Sequence, residues 1–213
     1  EDGIRDAEVT GVQTCALPIN DYTAADTEFA CKAGTAAMKM IIGLIESGRI
    51  DTGLAIGADT AQSSPGDPLE YSAGCAGGAL VFGKRGVIAK LIHTSSFTSD
   101  TPDFWRREHE LFPRHGGRFT GEEAYFKHLI SSTKKILRET KMDIKDFDHV
   151  VLHMPNGKFP KAAAKILGVT EIQLEKSFVV PFLGNSYSAC SMIGLINVLD
   201  HAEPEEKILM TSY

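Results

Sequence analysis

The sequence predicts an α/β domain of layered helices and strands with a largely covered sheet. Two observations predict it. Apolar residues recur at helical spacing in several long segments, and short apolar runs with glycine or turn-forming neighbours alternate with them. Composition agrees: the chain has 213 residues, 43% hydrophobic and 23% charged, which is ordinary for a globular protein able to bury a sizeable core.

The elements follow in order. Between Thr35 and Glu46, apolar residues come in pairs (Ala36/Ala37, Met40/Ile41, Leu44/Ile45), the spacing of a buried helix face that Gly48 stops. Leu54-Ala55-Ile56-Gly57-Ala58 suits a buried strand. Gly77 to Gly83 and Val87 to Ile92 read as two further strands joined by a hairpin turn at Gly83–Gly86. Thr98 to Thr120 is a long irregular loop whose aromatics, Phe104, Trp105, Phe112 and Phe119, favour order. Tyr125, Phe126, Leu129, Ile130, Ile136 and Leu137 mark one face of a second long helix. Val150-Val151-Leu152 is a strand that delivers His153 at its end. A helix from Lys158 to Leu167 closes at Gly168, and another follows Gly184-Asn185. Ile208-Leu209-Met210 is the last strand.

Several function classes lack support. The formal net charge of -6 leaves no basic stripe to displace counterions from nucleic-acid phosphates. Apolar runs stay far below the ~20 residues a membrane span needs. The four cysteines (Cys15, Cys31, Cys75, Cys190) show no zinc-like spacing and read as reduced thiols, so no metal is expected. No P-loop, dinucleotide, zincin or serine-hydrolase motif is present. Residues 1–19 resemble an in-frame translation of sequencing adapter, with Ala7 and Glu8 where a variable index falls. The native reading then starts near Asn20, and Cys15 carries no function.

Four constellations could carry chemistry. Cys31, in Glu28-Phe29-Ala30-Cys31-Lys32-Ala33-Gly34, opens an apolar helix, where the dipole and free N–H groups favour a thiolate nucleophile; a buried structural cysteine is the bland alternative. His153 stands at a strand end before Asn156-Gly157-Lys158, placed either for acid/base or polarising work or as a satisfied structural group. Gly184-Asn185-Ser186-Tyr187-Ser188 offers an amide donor or simply a helix cap. Arg114 to Gly121 sets two arginines among glycines, suited to phosphates or to a solvated loop.

Cys, His and Asn in this order resemble the catalytic set of thiolase-fold condensing enzymes. The words EFACKAGTAA, AIGADTAQ, TPDFWRRE, PRHGGRFTGE, HMPNGKFP, GNSYS and SMIGL, in register from about Asp21 to Tyr213, are similar to the archaeal-type hydroxymethylglutaryl-CoA synthases. The resemblance implies an incomplete thiolase-like α/β fold of α-β-α-β-α layers, lacking most of its N-terminal half and its extreme C-terminus. It divides the chain into the end of a first half (20–96), an inserted substrate loop (97–120) and a truncated second half (121–213).

It further implies that Cys31 takes acetyl from acetyl-CoA and that His153 positions acetoacetyl-CoA. Ser72 and Asn185 would contact the acyl substrate, and Arg118, Thr120 and Lys158 would contact CoA or substrate. No cofactor is implied, only CoA thioesters as substrates, in a cytoplasmic mevalonate-pathway enzyme. The implied partners are a second copy, an acetoacetyl-CoA thiolase and a small zinc- and OB-fold-containing protein. The alternatives are another condensing enzyme, such as a ketoacyl-carrier-protein synthase III-like protein, and a non-catalytic scaffold subunit.

Three departures bear on activity. The family's catalytic glutamate lies upstream of the cysteine, where the adapter-like residues stand. A Gly/Ser-rich stretch normally follows the final strand. An arginine often found four residues after Lys158 is here Ala162, with Lys161 beside it. These departures lead us to expect a polypeptide inactive by itself, with exposed apolar surface.

Overall fold

The computed structural model describes residues 22–60 and 63–213, so the adapter-like segment lies outside the described residues. A single 3-10 turn, Ala30–Lys32, leads into helix α1, Ala33–Glu46. Strand β1, Thr52–Asp59, pairs antiparallel with β2, Ala76–Gly83, in the register Leu54↔Val81 and Gly57↔Gly78. In the loop that follows, β3 (Phe104–Trp105) and β4 (Arg114–His115) form a two-residue ladder. A π-helical segment, Thr120–Phe126, runs straight into α2, Lys127–Thr140.

Strand β5, His149–Leu152, lies parallel to β6, Ile208–Thr211. The crossover between them holds α3 (Phe159–Leu167), α4 (Glu171–Glu175), α5 (Val180–Leu183) and α6 (Cys190–Leu199). The Asp143 capping box and the Thr170 capping box start the short helices at Ile144 and Glu171, each satisfying end N–H groups that would otherwise lack partners. Gly168, at φ +77, ends α3 in the left-handed region that glycine adopts without strain.

Helix α6 is the hub. It packs on β2 on one side and on β5 on the other, so the two sheets sandwich it, with α1 beside it and α2 outside β5–β6. Cys190, Met192, Gly194 and Val198 of this helix are buried. The main core joins Tyr125 and Leu129 to Val150, Leu152, Ala163, Leu174 and Leu209. The seam between α1, β1 and the start of α6 is closed by small residues. A methyl group at Gly57 would meet the Ser188 carbonyl oxygen at 2.6 Å, and one at Gly34 would strike the same oxygen. Ser188 Oγ also donates to the Ala58 carbonyl at 3.1 Å.

The observed helices and strands match the sequence reading at α1, β1, β2, α2, β5, α3, α6 and β6, with two differences. The strand expected over Val87–Ile92, and the hairpin at Gly83–Gly86, do not form. Gly86 turns the chain at φ +62, and β2 pairs with β1 instead. Lys39 and Lys135 then hydrogen-bond Ser96 at 2.8 and 2.9 Å, drawing the segment along α1 and α2. Without a ladder it leaves Ile88 85% exposed.

The second difference concerns cover. In α1, Ile45 is buried but Met40 and Leu44 are exposed, because one side chain in each of the pairs Met40/Ile41 and Leu44/Ile45 turns away from β1. Leu54, Ile56 and Val81 stand together on the outer face of β1–β2, with Val81 72% exposed. The expected exposed apolar surface is therefore present.

The seam yields a prediction. Gly57→Ala forces a methyl against backbone, and overpacking of this kind costs about 1–3 kcal/mol. A urea-unfolding midpoint that drops accordingly, while Gly43→Ala, with open space at its Cβ, leaves it unchanged or raised, would bear this out.

Candidate active site

Cys31 sits half-buried in the 3-10 turn ahead of α1. The residue before it, Ala30, has φ +42, a left-handed conformation unfavourable for alanine. The Asn185 side-chain amide points its Nδ2 at Cys31 Sγ, 4.0 Å away. Asn185 is itself locked: its Oδ1 accepts from the Tyr187 amide at 3.0 Å, its N–H donates to the Ser72 carbonyl, and its carbonyl accepts from the Gly74 amide. This parallel bridge at Ala73↔Asn185 requires Gly184 at φ +70, where a side chain would meet the Ala73 oxygen at 2.9 Å. Ser72, Asn185 and Cys31 are thus brought together. The Ser72 hydroxyl donates back to the Leu69 carbonyl at 3.3 Å.

His153 leaves the end of β5 fully buried, its N–H bonded to the Thr211 carbonyl. Burial pushes its pKa down to about 3, so the imidazole is neutral at physiological pH. Its Nδ1 has no partner among the described residues. Tyr125 and Tyr213 flank the ring, with centroids at 6.2 and 6.5 Å, and the Tyr125 hydroxyl donates to the His153 carbonyl at 2.7 Å. Tyr213 in turn donates to Asp103 Oδ2 at 2.7 Å, and burial, then that carboxylate, push its phenol well above the ordinary range. Phe104 from the loop packs on Tyr187 at 5.5 Å.

The electrostatics correct one expectation. Burial, then the neighbouring Cys190, push the Cys31 thiol well above its ordinary range, and the Asn185 hydrogen bond only partly opposes them. The resting group is a thiol, not a thiolate. One 3-10 turn ahead of α1 does not offset desolvation.

Two of the three anion-contacting candidates reach solvent. Arg118 and Lys158 are exposed. Thr120 is occupied within the loop: its hydroxyl donates to the Asp103 carbonyl at 3.1 Å and accepts from the Gly116 amide at 2.9 Å. Lys161 lies over the Phe178 ring, 4.9 Å from its centroid, and Ala162 beside it is exposed. Sequence reasoning passed over Tyr125 and Tyr213. Tyr125 fitted a helix face, and only its hydroxyl, needing a buried partner, signalled more. Among the described residues, no group of His, Cys, Asp and Glu side chains is placed to hold a metal, and no helix is long and apolar enough to cross a membrane.

No family model matches the chain. Among curated proteins it is similar to the hydroxymethylglutaryl-CoA synthase of Methanopyrus kandleri, at 54% identity over 193 residues, 91% of this chain and 55% of that protein. The synthase of Methanocaldococcus jannaschii is 55% identical over 193 residues, again 91% of this chain and 56% of that one. The chain spans about half the length of the curated relatives it matches.

Among solved structures, a 3-hydroxy-3-methylglutaryl-coenzyme A complex of MvaS aligns with a TM-score of 0.83 at 18% identity, over 96% of this chain and 59% of that one. A 3-oxoacyl-(acyl carrier protein) synthase III from Pseudomonas aeruginosa aligns with a TM-score of 0.81 at 18% identity, over 93% and 66%. These likenesses show the thiolase-type fold, of which this chain forms a part.

Two outcomes are expected. Tyr125→Phe leaves the buried His153 carbonyl without its donor and lowers the urea-unfolding free energy by about 1–3 kcal/mol. A neutral buried histidine also gives stability a pH slope. The unfolded chain takes up a proton below its ordinary pKa of 6.5, whereas the folded one does so only near 3. Unfolding free energy should therefore fall as pH drops from 6.5 toward 3, and His153→Gln should flatten that part of the curve.

Proposed function

We propose, from a chain that belongs to the hydroxymethylglutaryl-CoA synthase family, that the whole protein condenses acetyl-CoA with acetoacetyl-CoA. The observation that carries this reading is the 54–55% identity to two curated synthases over 193 residues.

Cys31 Sγ attacks the acetyl thioester, forming a new S–C bond as CoA leaves as its thiol. Because Cys31 rests protonated, a base must take its proton in that step. His153, neutral and hard to protonate, is suited to donating a hydrogen bond to a carbonyl oxygen rather than to serving as that base. The resemblance assigns the base to a glutamate N-terminal to Cys31. The same base removes a methyl proton from the Cys31-bound acetyl group, and the enolate attacks the ketone of acetoacetyl-CoA. Water then cleaves the Cys31 thioester, releasing hydroxymethylglutaryl-CoA and restoring the thiol.

Asn185, fixed against Cys31, supplies an amide donor to the acyl oxygen, with Ser72 on the adjoining strand of the bridge. Arg118, Thr120 and Lys158 form the outer, CoA-facing contacts, and segment 97–120 is the substrate loop. In this reading the whole protein is a cytoplasmic mevalonate-pathway enzyme. It works as a homodimer, in company with an acetoacetyl-CoA thiolase and a small zinc- and OB-fold protein. The rival ketoacyl-carrier-protein synthase III reading shares the fold but rests on only 18% identity.

The test uses a chain completed at both ends from a methanogen relative, incubated with acetyl-CoA and acetoacetyl-CoA. Free CoA is followed and the acetylated peptide is mapped by mass spectrometry. Acetyl on the Cys31 peptide, with further CoA release that depends on acetoacetyl-CoA, is the expected result. Acetylation indifferent to acetoacetyl-CoA would point to another condensing enzyme, and none at all to a scaffold. Cys31→Ala should abolish acetylation, whereas Cys75→Ala and Cys190→Ala should retain it.

A further inference from the structure

The segment that enters the loop is fastened by a residue the proposed chemistry does not use. His128, in the first turn of α2, has both ring nitrogens engaged. Its Nδ1 lies 2.7 Å from the Ala124 carbonyl, which can only accept, so Nδ1 carries the proton. In the neutral ring Nε2 is then an acceptor, and Ser99 Oγ stands 2.9 Å from it as donor. Ser99 is left to accept from Thr101 Oγ1 at 2.8 Å. The ring faces are covered as well: Phe97 packs edge-on at 5.3 Å, and Tyr213 lies tilted at 5.3 Å. Tyr213 is the same side chain that flanks His153 and donates to Asp103. One imidazole therefore ties α2 to residues 97–101 and to the aromatic wall of the His153 pocket. Asp103 and Phe104 follow directly and reach Tyr213 and Tyr187.

We infer that His128 is a positioning residue. By accepting from Ser99 and packing between Phe97 and Tyr213, it holds the entering limb of the 97–120 loop in the place from which Asp103 and Phe104 meet the active-site tyrosines. The consequence for turnover rests on the condensing-enzyme reading; the consequence for loop order does not. None of the hydrogen bonds that fix Asn185 against Cys31 comes from this loop, so acetylation should be spared while capture of the second, larger substrate suffers.

Two variants and a rescue test this. Ser99→Ala removes the donor at a half-buried loop position, and His128→Ala removes the ring. His128→Gln keeps an amide oxygen within reach of Ser99. In the 213-residue chain, amide hydrogen exchange across 97–103 should quicken about tenfold in both alanine variants and return toward the parent rate in His128→Gln, with β5 exchange unchanged. In the completed chain, the same two variants should raise KM for acetoacetyl-CoA about tenfold and leave the rate of Cys31 acetylation within about twofold.

Unchanged exchange at 97–103 in Ser99→Ala and His128→Ala would overturn the inference. So would quickening spread equally over β5, or the absence of any rescue by glutamine. If the unsubstituted completed chain never acetylates, the synthase reading fails, and the exchange result still decides the role of His128.

Discussion

The site depends on how closely two stretches of backbone can approach. Gly34 of α1 and Gly57 of β1 both face the Ser188 carbonyl, and neither position has room for a methyl group. That contact seats the 187–189 turn against the helix that begins beside Cys31. It thereby delivers Asn185, three residues before Ser188, to the sulfur. Dispersion at close packing holds this arrangement, with the Ala73↔Asn185 bridge fixing the angle.

Around this seam the chemistry is set by desolvation. Burial raises the Cys31 and Tyr187 groups and lowers His153, so every one of them prefers its neutral form. A site of neutral donors suits reactions in which negative charge appears only transiently on a carbonyl oxygen, because fixed hydrogen bonds act more strongly where water is excluded. It also explains why a helix start alone fails to make a thiolate. The partial charge of a helix end is weak beside the loss of hydration of a full thiolate charge.

Much of this was legible in the residues. The periodicity of α1, α2 and α6 and the apolar runs of β1, β2, β5 and β6 gave the alternation of elements. The order of Cys31, His153 and Asn185 named a candidate site, of which the structure brings Asn185 to Cys31. What stayed hidden depends on partners. Val87–Ile92 has the composition of a strand, but a strand exists only where a neighbour offers its ladder. The two members of each apolar pair in α1 look equivalent in sequence, and packing alone decides that Ile45 turns inward and Leu44 outward. Tyr125 reads only as a helix-face aromatic and His128 carries no local signal, because their partners, at His153 and Ser99, lie elsewhere along the chain.

Ala30 carries a consequence of its own. A left-handed alanine costs of order 1 kcal/mol, and it stands at the residue that aims the sulfur. Glycine there would relieve the strain in the folded chain while enlarging the freedom of the unfolded one, two effects of opposite sign and similar size. Selection for thermal tolerance alone would consequently find little gradient at this position. Selection for aim would find a steep one, since only the residue with a β-carbon restricts how far the turn can swing.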